Sequence, residues 1–441
     1  MESFLKSIDL LLFFCCVFIL AGSILLTIKS KFIQVRFFRS LFSILKNLIT
    51  HRKAETADHS ILPHRALLTA MSTTLGISTI IGPVIAISLG GPGALFGFLL
   101  ASFFGSAATY MEVNLSLQYR KKLDSGIIMG GPMQYLQHLV SPAMAKWYAL
   151  CGLVLLMAWS AAQANQVAAI LNSPLLGKYR LSAALSGGLI AISILVTMLG
   201  GIKRVGALSA KLVPIMFFLY IGSCFYILGC NFSQLGAMFH EMFQSALSPI
   251  PLASGTAVGG VISAMRWGIF KGTQVTEAGV GTQTIPHSMV STNDPQMQGM
   301  LAMLSTFAAG FVAFLSGMVA LVTKTWQDPT LPLGVSMIAA SFERYFSFFG
   351  IGIVVVCGLL FGFGTILGNC YNGSQCYGFL TDNKKSRYYL FATALMIFSG
   401  AVSDVKTIWS LVDLIMILMV VPHLSALLVN AFTNKARLTP S

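Results

Sequence analysis

Two long apolar runs in this chain are interrupted by residues that a membrane helix rarely carries. The first, from about Leu67 to Leu89, holds Gly76-Ile77-Ser78-Thr79 and then Gly82-Pro83. The second starts at about Gly255 and is interrupted over Gly272-Thr273-Gln274-Val275-Thr276-Glu277-Ala278-Gly279-Val280-Gly281-Thr282. Glycine and polar side chains at membrane depth are costly unless the unwound backbone lines a cavity inside the protein. At such a break, free amides at a positive helix end suit a carboxylate and free carbonyls suit a cation. Gly76 and Gly82 would let the backbone approach a ligand, and Ser78 and Thr79 add hydroxyl oxygens. A kinked helix packed on small residues is the structural alternative. Broken helices at matching places in two halves of a chain point to the solute site of a secondary carrier.

Other polar residues fall inside apolar runs. Glu277 is a carboxylate at mid-depth, where an ionisable group is a functional candidate by default. A scaffold role is the competing reading, with Lys271 and Arg266 as the nearest bases in sequence. Glu112 carries the same ambiguity, and a structural pair with the loop arginine or a neighbouring helix is favoured for it. Gln163 and Gln166, with Asn165 between them, share a helix face by three-residue spacing. Ligand contact is assigned to Gln163 ahead of the other two. Thr365 and Asn369, four apart, share a face of a later helix, and Asp413, Pro422 and His423 sit on the last one. No phosphate loop with lysine, His-Glu-x-x-His or nucleophile elbow is present, so no enzyme motif competes.

The elements that would position these residues follow from composition. The chain has 441 residues, 56% hydrophobic and only 10% charged, with mean hydropathy +0.79. A soluble protein would carry roughly 25% charged residues. The net charge of +14 sits in short loops between apolar runs, which argues for membrane topology and against nucleic acid. The eight cysteines lie mostly in apolar runs and show neither a disulfide framework nor metal spacing. A spanning helix needs about 20 apolar residues. Eleven candidates are centred near residues 18, 78, 104, 157, 192, 219, 266, 310, 359, 393 and 418. The seventh is the least hydrophobic, and a hydropathy window alone would miss it.

Loops holding Lys29 to Lys53, Arg120 to Lys122, Lys203-Arg204, Lys384 to Arg387 and the tail with Lys435 and Arg437 share one side. The opposite side, with Lys6, Lys178, Arg180, Lys324, Arg344 and Lys406, is poorer. The richer side is expected to be cytoplasmic, placing the N-terminus outside and the C-terminus inside. The first apolar segment, about Asp9 to Ile28, is followed rather than preceded by basic residues and reads as a spanning helix, not a cleaved signal. Phe32 to Ile49 reads as a basic amphipathic helix on the inner leaflet, and Gln234 to Leu247 as a short outer surface helix or loop. Setting the first helix aside leaves five plus five, with a broken segment opening each half. An odd number of helices per half inverts the second half relative to the first.

At these residues the chain resembles the alanine/glycine:cation symporter family (sodium:alanine/glycine symporters) of the amino acid–polyamine–organocation superfamily. The resemblance extends from about His64 to Phe432. It rests on Leu89-Gly90-Gly91-Pro92-Gly93-Ala94, Glu112 through Arg120, Gly130-Gly131-Pro132-Met133-Gln134-Tyr135 and Gln163-Ala164-Asn165. It continues through Lys271-Gly272, Glu277-Ala278-Gly279-Val280-Gly281, Pro295 through Gly299, Phe363 through Gly368 and Trp409 through Asp413. Together these pieces are specific, though none is alone. The resemblance implies an all-α membrane protein of about eleven helices, a leucine-transporter-like 5+5 inverted repeat preceded by one extra helix. It implies small zwitterionic substrates and sodium coupling.

It also implies a substrate site of Gly76, Ile77, Ser78, Thr79, Gly82, Gln163, Thr276, Gly279, Thr365 and Asn369. A cation site would use Gly76, Thr79, Thr276, Gly364 and Thr365, with Glu112, Glu277 and Asp413 as structural polar residues. Several family positions differ here. Gly76-Ile77-Ser78-Thr79 stands for Gly-Thr-Gly-Asn, and Val275-Thr276 for the Ser-Asn before Glu-Ala-Gly. Gly364 replaces a Ser, Ala309-Gly310 an Asp-Thr pair, Asn369 a Trp and His423 an Asn. These changes remove cation-suited oxygens, although Thr79 and Thr276 restore some.

The expected domains are 1–64 (extra helix and basic amphipathic segment), a core at 65–432 with halves about 65–232 and 250–432, and a tail at 433–441. The expected function is import of a small neutral amino acid of alanine or glycine type by cation symport, with Na+ as coupling ion, through alternating access. The setting is a bacterial inner membrane, and no cofactor and no nucleic acid are expected. A proton-coupled or uncoupled exchanger is one alternative, and a membrane amino-acid sensor that moves nothing is another.

Overall fold

Local signals start and stop the helices. Pro63, Pro132, Pro142 and Pro295 each open a helix in its first turn, where a missing amide hydrogen costs nothing. Ser141, Ser182 and Asp294 cap helices by accepting from amides two or three residues on. A computed structural model shows the result and describes residues 2–50, 61–122, 128–247, 264–292, 294–382 and 386–433. The expected start of the second broken segment, near Gly255, and the loop lysines 384, 385 and 435 lie outside the described residues.

In chain order the helices are α1 (Glu2–Lys29), α2 (Ile33–Thr50), α3 (Pro63–Thr74), α4 (Ile77–Gly90) and α5 (Gly93–Tyr119). A two-residue hairpin, β1 (Lys121–Lys122) with β2 (Ile128–Met129), leads to α6 (Pro132–Leu139) and α7 (Pro142–Leu171). Then come α8 (Ala183–Met198), α9 (Gly201–Cys230) and α10 (Phe232–Leu247). A π-helical stretch, Ala264–Phe270, runs into α11 (Lys271–Thr276), which is followed by α12 (Thr284–Ser288) and α13 (Pro295–Thr323). The chain closes with α14 (Val335–Phe346), α15 (Phe348–Thr381), α16 (Ser386–Val402) and α17 (Val405–Thr433).

Among the described residues, eight helical spans are long and apolar enough to cross a membrane, counting α3 and α4 as one. The shorter apolar helices α8 and α16 add two, and α11 with α12 forms the weakly hydrophobic seventh. The protein is thus an all-α membrane protein of about eleven spans, with one helix preceding an inverted repeat of five and five. Helix α10 falls in the interval that the expected halves, about 65–232 and 250–432, leave between them.

Both breaks are narrower than the sequence suggests. In the first, only Leu75 and Gly76 leave the helix, and Gly82-Pro83 lies inside α4. A proline within a membrane helix is tolerated when neighbours compensate, and Pro83 deprives the Thr79 carbonyl of its intrahelical amide. In the second, Gly272 to Thr276 are helical and the chain unwinds over residues 277–283. Glu277 terminates α11 in the left-handed conformation, φ +53°. Gly279 and Gly281 follow at φ +82° and +91°, which only glycine adopts without strain.

Helices α5, α7, α13 and α15 form the buried centre. α7 packs against α15, α16 and α17, and α5 against α13 and the π-helical stretch. Small residues set these approaches: a side chain at Gly268 would strike the α5 backbone at Ala94 and Gly97, and one at Gly400 would strike Ala161. The large apolar side chains left exposed, such as Phe14, Ile192, Phe218, Phe391 and Leu395, lie on outer faces that lipid would cover.

Candidate functional site

The first break is held open by side chains from two other helices. Gln163, on α7, accepts from the Ile77 amide at 2.9 Å and donates to Ser78 Oγ at 3.3 Å. It thereby caps α4, which has no capping side chain of its own. Thr365, on α15, donates to the carbonyls of Ser72 and Thr73 at 2.9 and 3.2 Å. Ser72 Oγ returns a bond to the Gly364 carbonyl at 2.8 Å. Gly76 is what lets these groups meet, since a Cβ there would lie 2.8 Å from Thr365 Oγ1 and 3.0 Å from Gln163 Nε2. Thr79 Oγ1 donates to the Thr74 carbonyl at 2.8 Å, across the break.

The same α15 face continues to the second break. Asn372 donates to the Thr282 carbonyl at 3.3 Å. Asn369, between Thr365 and Asn372, is buried, and neither end of its amide has a partner among the described residues. Helix α4 also faces the second segment, because a Cβ at Gly82 would make an ordinary 3.5 Å contact with Val275.

The carbonyls of the second break are engaged by protein donors. Gln283 Nε2 donates to the Thr276 carbonyl at 2.5 Å, and Tyr148 Oη to that of Val280 at 2.7 Å. His423 Nδ1 lies 2.8 Å from the Gly279 oxygen. Thr276 Oγ1 donates to the Gly272 carbonyl at 2.9 Å, so both of its oxygens are engaged within its own segment. The Glu277 carboxylate accepts from the Thr282 hydroxyl, and Ser305 donates to Gln283 Oε1.

Among the described residues Lys271 and Arg120 are engaged away from the carboxylates nearest them in sequence, and Glu112 instead faces a neighbouring helix through His423, 3.7 Å away. Lys271 reaches Asp413 on α17, at 2.7 and 3.0 Å, rather than Glu277. Six residues along a helix put Lys271 and Glu277 on different faces. The Arg266 guanidinium lies over the Trp267 ring. Arg120 does not approach Glu112. It holds the carbonyls of Ser288, Val290 and Thr292, where α12 ends. Gln163 and Gln166 also diverge, because three residues turn a helix 60° short of a full circle. Gln166 donates to Asn165, which itself donates to the Gly400 and Ser403 carbonyls of the α16 end.

Residues 1–437 match the model of the sodium:alanine symporter family. The chain belongs to that family. It is 31% identical to the sodium/alanine symporter AgcS of Methanococcus maripaludis, over 93% of this chain and 90% of that protein. It is 29% identical to the "Probable sodium/glutamine symporter GlnT" of Bacillus subtilis, covering 93% of this chain and 84% of the relative. Among solved structures, the substrate-bound, outward-open form of a Na+-coupled sialic acid symporter superposes with a TM-score of 0.62. That match covers 88% of this chain and 85% of the other at 13% identity, so it shows a shared fold. The protein is a multi-pass, cation-coupled amino-acid transporter and not an enzyme.

Two glycines at which the family resemblance leads one to expect larger residues have that space filled by neighbouring serines. A Cβ at Gly364 would stand 2.9 Å from Ser72 Oγ, so the Ser72 hydroxyl occupies the space that a serine side chain at 364 would enter. At Gly310 the Ser102 side chain of α5 fills the space instead. A threonine could not be accommodated there without moving α5.

Proposed function

We propose that this symporter imports a small neutral amino acid with Na+, by alternating access between its two halves, across a bacterial inner membrane with its N-terminus outside. The observation that carries the reading is the convergence of both breaks on one face of α15. Gln163, Ser78 and the α4 amide end would hold the substrate carboxylate, with Gly76, Ile77, Thr365 and Asn369 around it. Na+ would take its oxygens from the first break: the carbonyls of Ser72, Thr73 and Gly364, the Thr365 hydroxyl, and the Thr79 carbonyl that Pro83 releases. Carbonyls at both breaks accept from protein donors, so Na+ would have to turn aside the Thr365 and Ser72 hydroxyl hydrogens at the first break, while the second break would supply shape from Thr276 and Gly279 more than ligands. Hard cations favour such an oxygen shell.

Uptake of labelled alanine into proteoliposomes under an inward sodium gradient tests the reading. Accumulation is expected with sodium and loss of it with choline. Sodium-independent flux would favour the exchanger, and binding without flux would favour a sensor.

Gln163→Ala is expected to weaken substrate binding by about 1–3 kcal/mol, since it strands the buried Ile77 amide as well as removing a contact. Gln166→Ala should change affinity by much less. A larger effect at Gln166, measured by substrate titration of both variants, would reverse the assignment of the α7 face.

A further inference from the structure

A second polar cluster lies against the second break, and the transport reading does not use it. Glu112, in the last third of α5, is fully buried, and among the described residues neither of its oxygens meets hydrogen-bond geometry, with the Gly279 amide of the second break the backbone group that faces it. An ionised carboxylate so placed costs several kcal/mol unless a positive charge accompanies it. The neighbouring bases are engaged elsewhere: Arg120 on the α12 end and Lys271 on Asp413. His423, on α17, is left, with Nδ1 3.7 Å from Glu112 Oε1.

The ring of His423 is fixed on both sides. A carbonyl only accepts, so the Nδ1 atom 2.8 Å from the Gly279 oxygen carries a hydrogen. Nε2 lies 2.5 Å from Tyr135 Oη on α6, a group that can donate or accept. The same heavy atoms therefore serve two proton placements. In one, a neutral Glu112 carboxyl faces a neutral imidazole that accepts from Tyr135. In the other, Glu112 has given up its proton and Nε2 has taken one up, so that a carboxylate faces an imidazolium that donates to Tyr135. Both are neutral overall. Losing the proton to water leaves a lone buried carboxylate, which becomes tolerable only when water reaches the pair.

The titratable groups facing this pair are Tyr135 from α6, Tyr148 from α7, Glu277 from the second break and, behind Tyr148, Cys376 from α15. Helices α4 and α13 contain no titratable side chain. His287 of α12 is bonded to Gln298. The break itself is seated on the ring: a Cβ at Gly281 would lie 2.8 Å from Tyr148 Oη and 2.9 Å from His423 Cε1. Movement of the unwound segment therefore uncovers the pair and removes the Gly279 carbonyl from Nδ1.

We propose that Glu112 and His423 together bind one exchangeable proton, held while the second break is packed on them and released to water when it moves. A proton is then a second coupled ion of this carrier. The proposal rests on the transport reading for the coupling, but the protonation itself does not depend on it.

Two measurements on the full-length protein separate these parts. Infrared difference spectra between acid and alkaline buffer are expected to show a protonated-carboxyl band in the wild type that Glu112→Gln loses, with folding checked by size exclusion. An unchanged band in Glu112→Gln overturns the site. In proteoliposomes enclosing a pH-sensitive dye, alanine addition is expected to acidify the lumen, and Glu112→Gln and His423→Asn are each expected to lose this signal. Asparagine at 423 keeps a donor for Gly279 and an acceptor for Tyr135, so a loss there reports the titrating ring and not a broken scaffold. Acidification that survives either substitution, or net wild-type alanine uptake without acidification, overturns proton coupling. Absence of wild-type counterflow would instead overturn the transport reading, leaving the infrared result to decide the site.

Discussion

Gly76→Leu is expected to abolish amino-acid uptake while the protein still reaches the membrane folded. Even the first carbon of a side chain at 76 would lie 2.8 Å from Thr365 Oγ1 and 3.0 and 3.1 Å from the two ends of the Gln163 amide. Those atoms hold the Ser72 and Thr73 carbonyls and the Ile77 amide, so they cannot retreat without releasing buried backbone groups. A leucine would also fill the space between α7 and α15 that the ligand needs. Gly82→Ala is the matched control. Its Cβ meets Val275 at an ordinary 3.5 Å, within a continuous helix, and uptake should stay near the wild-type level. Uptake normalised to the amount of protein in the membrane decides the matter. Normal transport by Gly76→Leu would remove the first break from the substrate site.

The contrast between these glycines shows what the sequence could and could not reveal. Glycine and hydroxyl residues inside an apolar run disclose a break because lipid offers their backbone no partner. They do not disclose its edges. Gly82-Pro83 reads as a second interruption, yet a proline costs one hydrogen bond and the helix continues through it. Partners are harder still. Glu112 and His423 are 311 positions apart by residue number, and Thr365 meets Ser72 from a comparable distance. The buried helices are apolar nearly all round, so their sequences carry no stripe to fix rotation. Proximity along the chain was then the only guide. It points to Lys271 for Glu277 and to Arg120 or an unnamed neighbouring helix for Glu112, and the fold sends both bases elsewhere while the neighbouring helix brings His423. Gln163 was legible because an amide in an apolar run needs a purpose. That its purpose includes capping α4 depends on where α7 passes the break.

Asn369 carries the remaining prediction, and it concerns selectivity. An unpaired buried amide is destabilising by about 1–3 kcal/mol, and both ends of this one lack partners among the described residues. Its neighbours on the same α15 face are engaged, Thr365 with the first break and Asn372 with the second. The amide therefore stands between the breaks with two donors and an acceptor to offer. The related sequences are expected to place an indole there, which would close the space and present mostly carbon. A pocket with a carboxamide in that place should admit side chains larger or more polar than the methyl of alanine. Asn369→Trp is expected to narrow selectivity toward glycine and alanine, and Asn369→Leu to weaken polar substrates by about tenfold, the loss of roughly 1.4 kcal/mol of hydrogen bonding. Competition of labelled alanine uptake by a panel of neutral amino acids, in the wild type and both variants, reads this directly. If the wild type already excludes everything larger than alanine, another side chain has refilled the space. The unpaired amide would then owe its survival to something other than substrate.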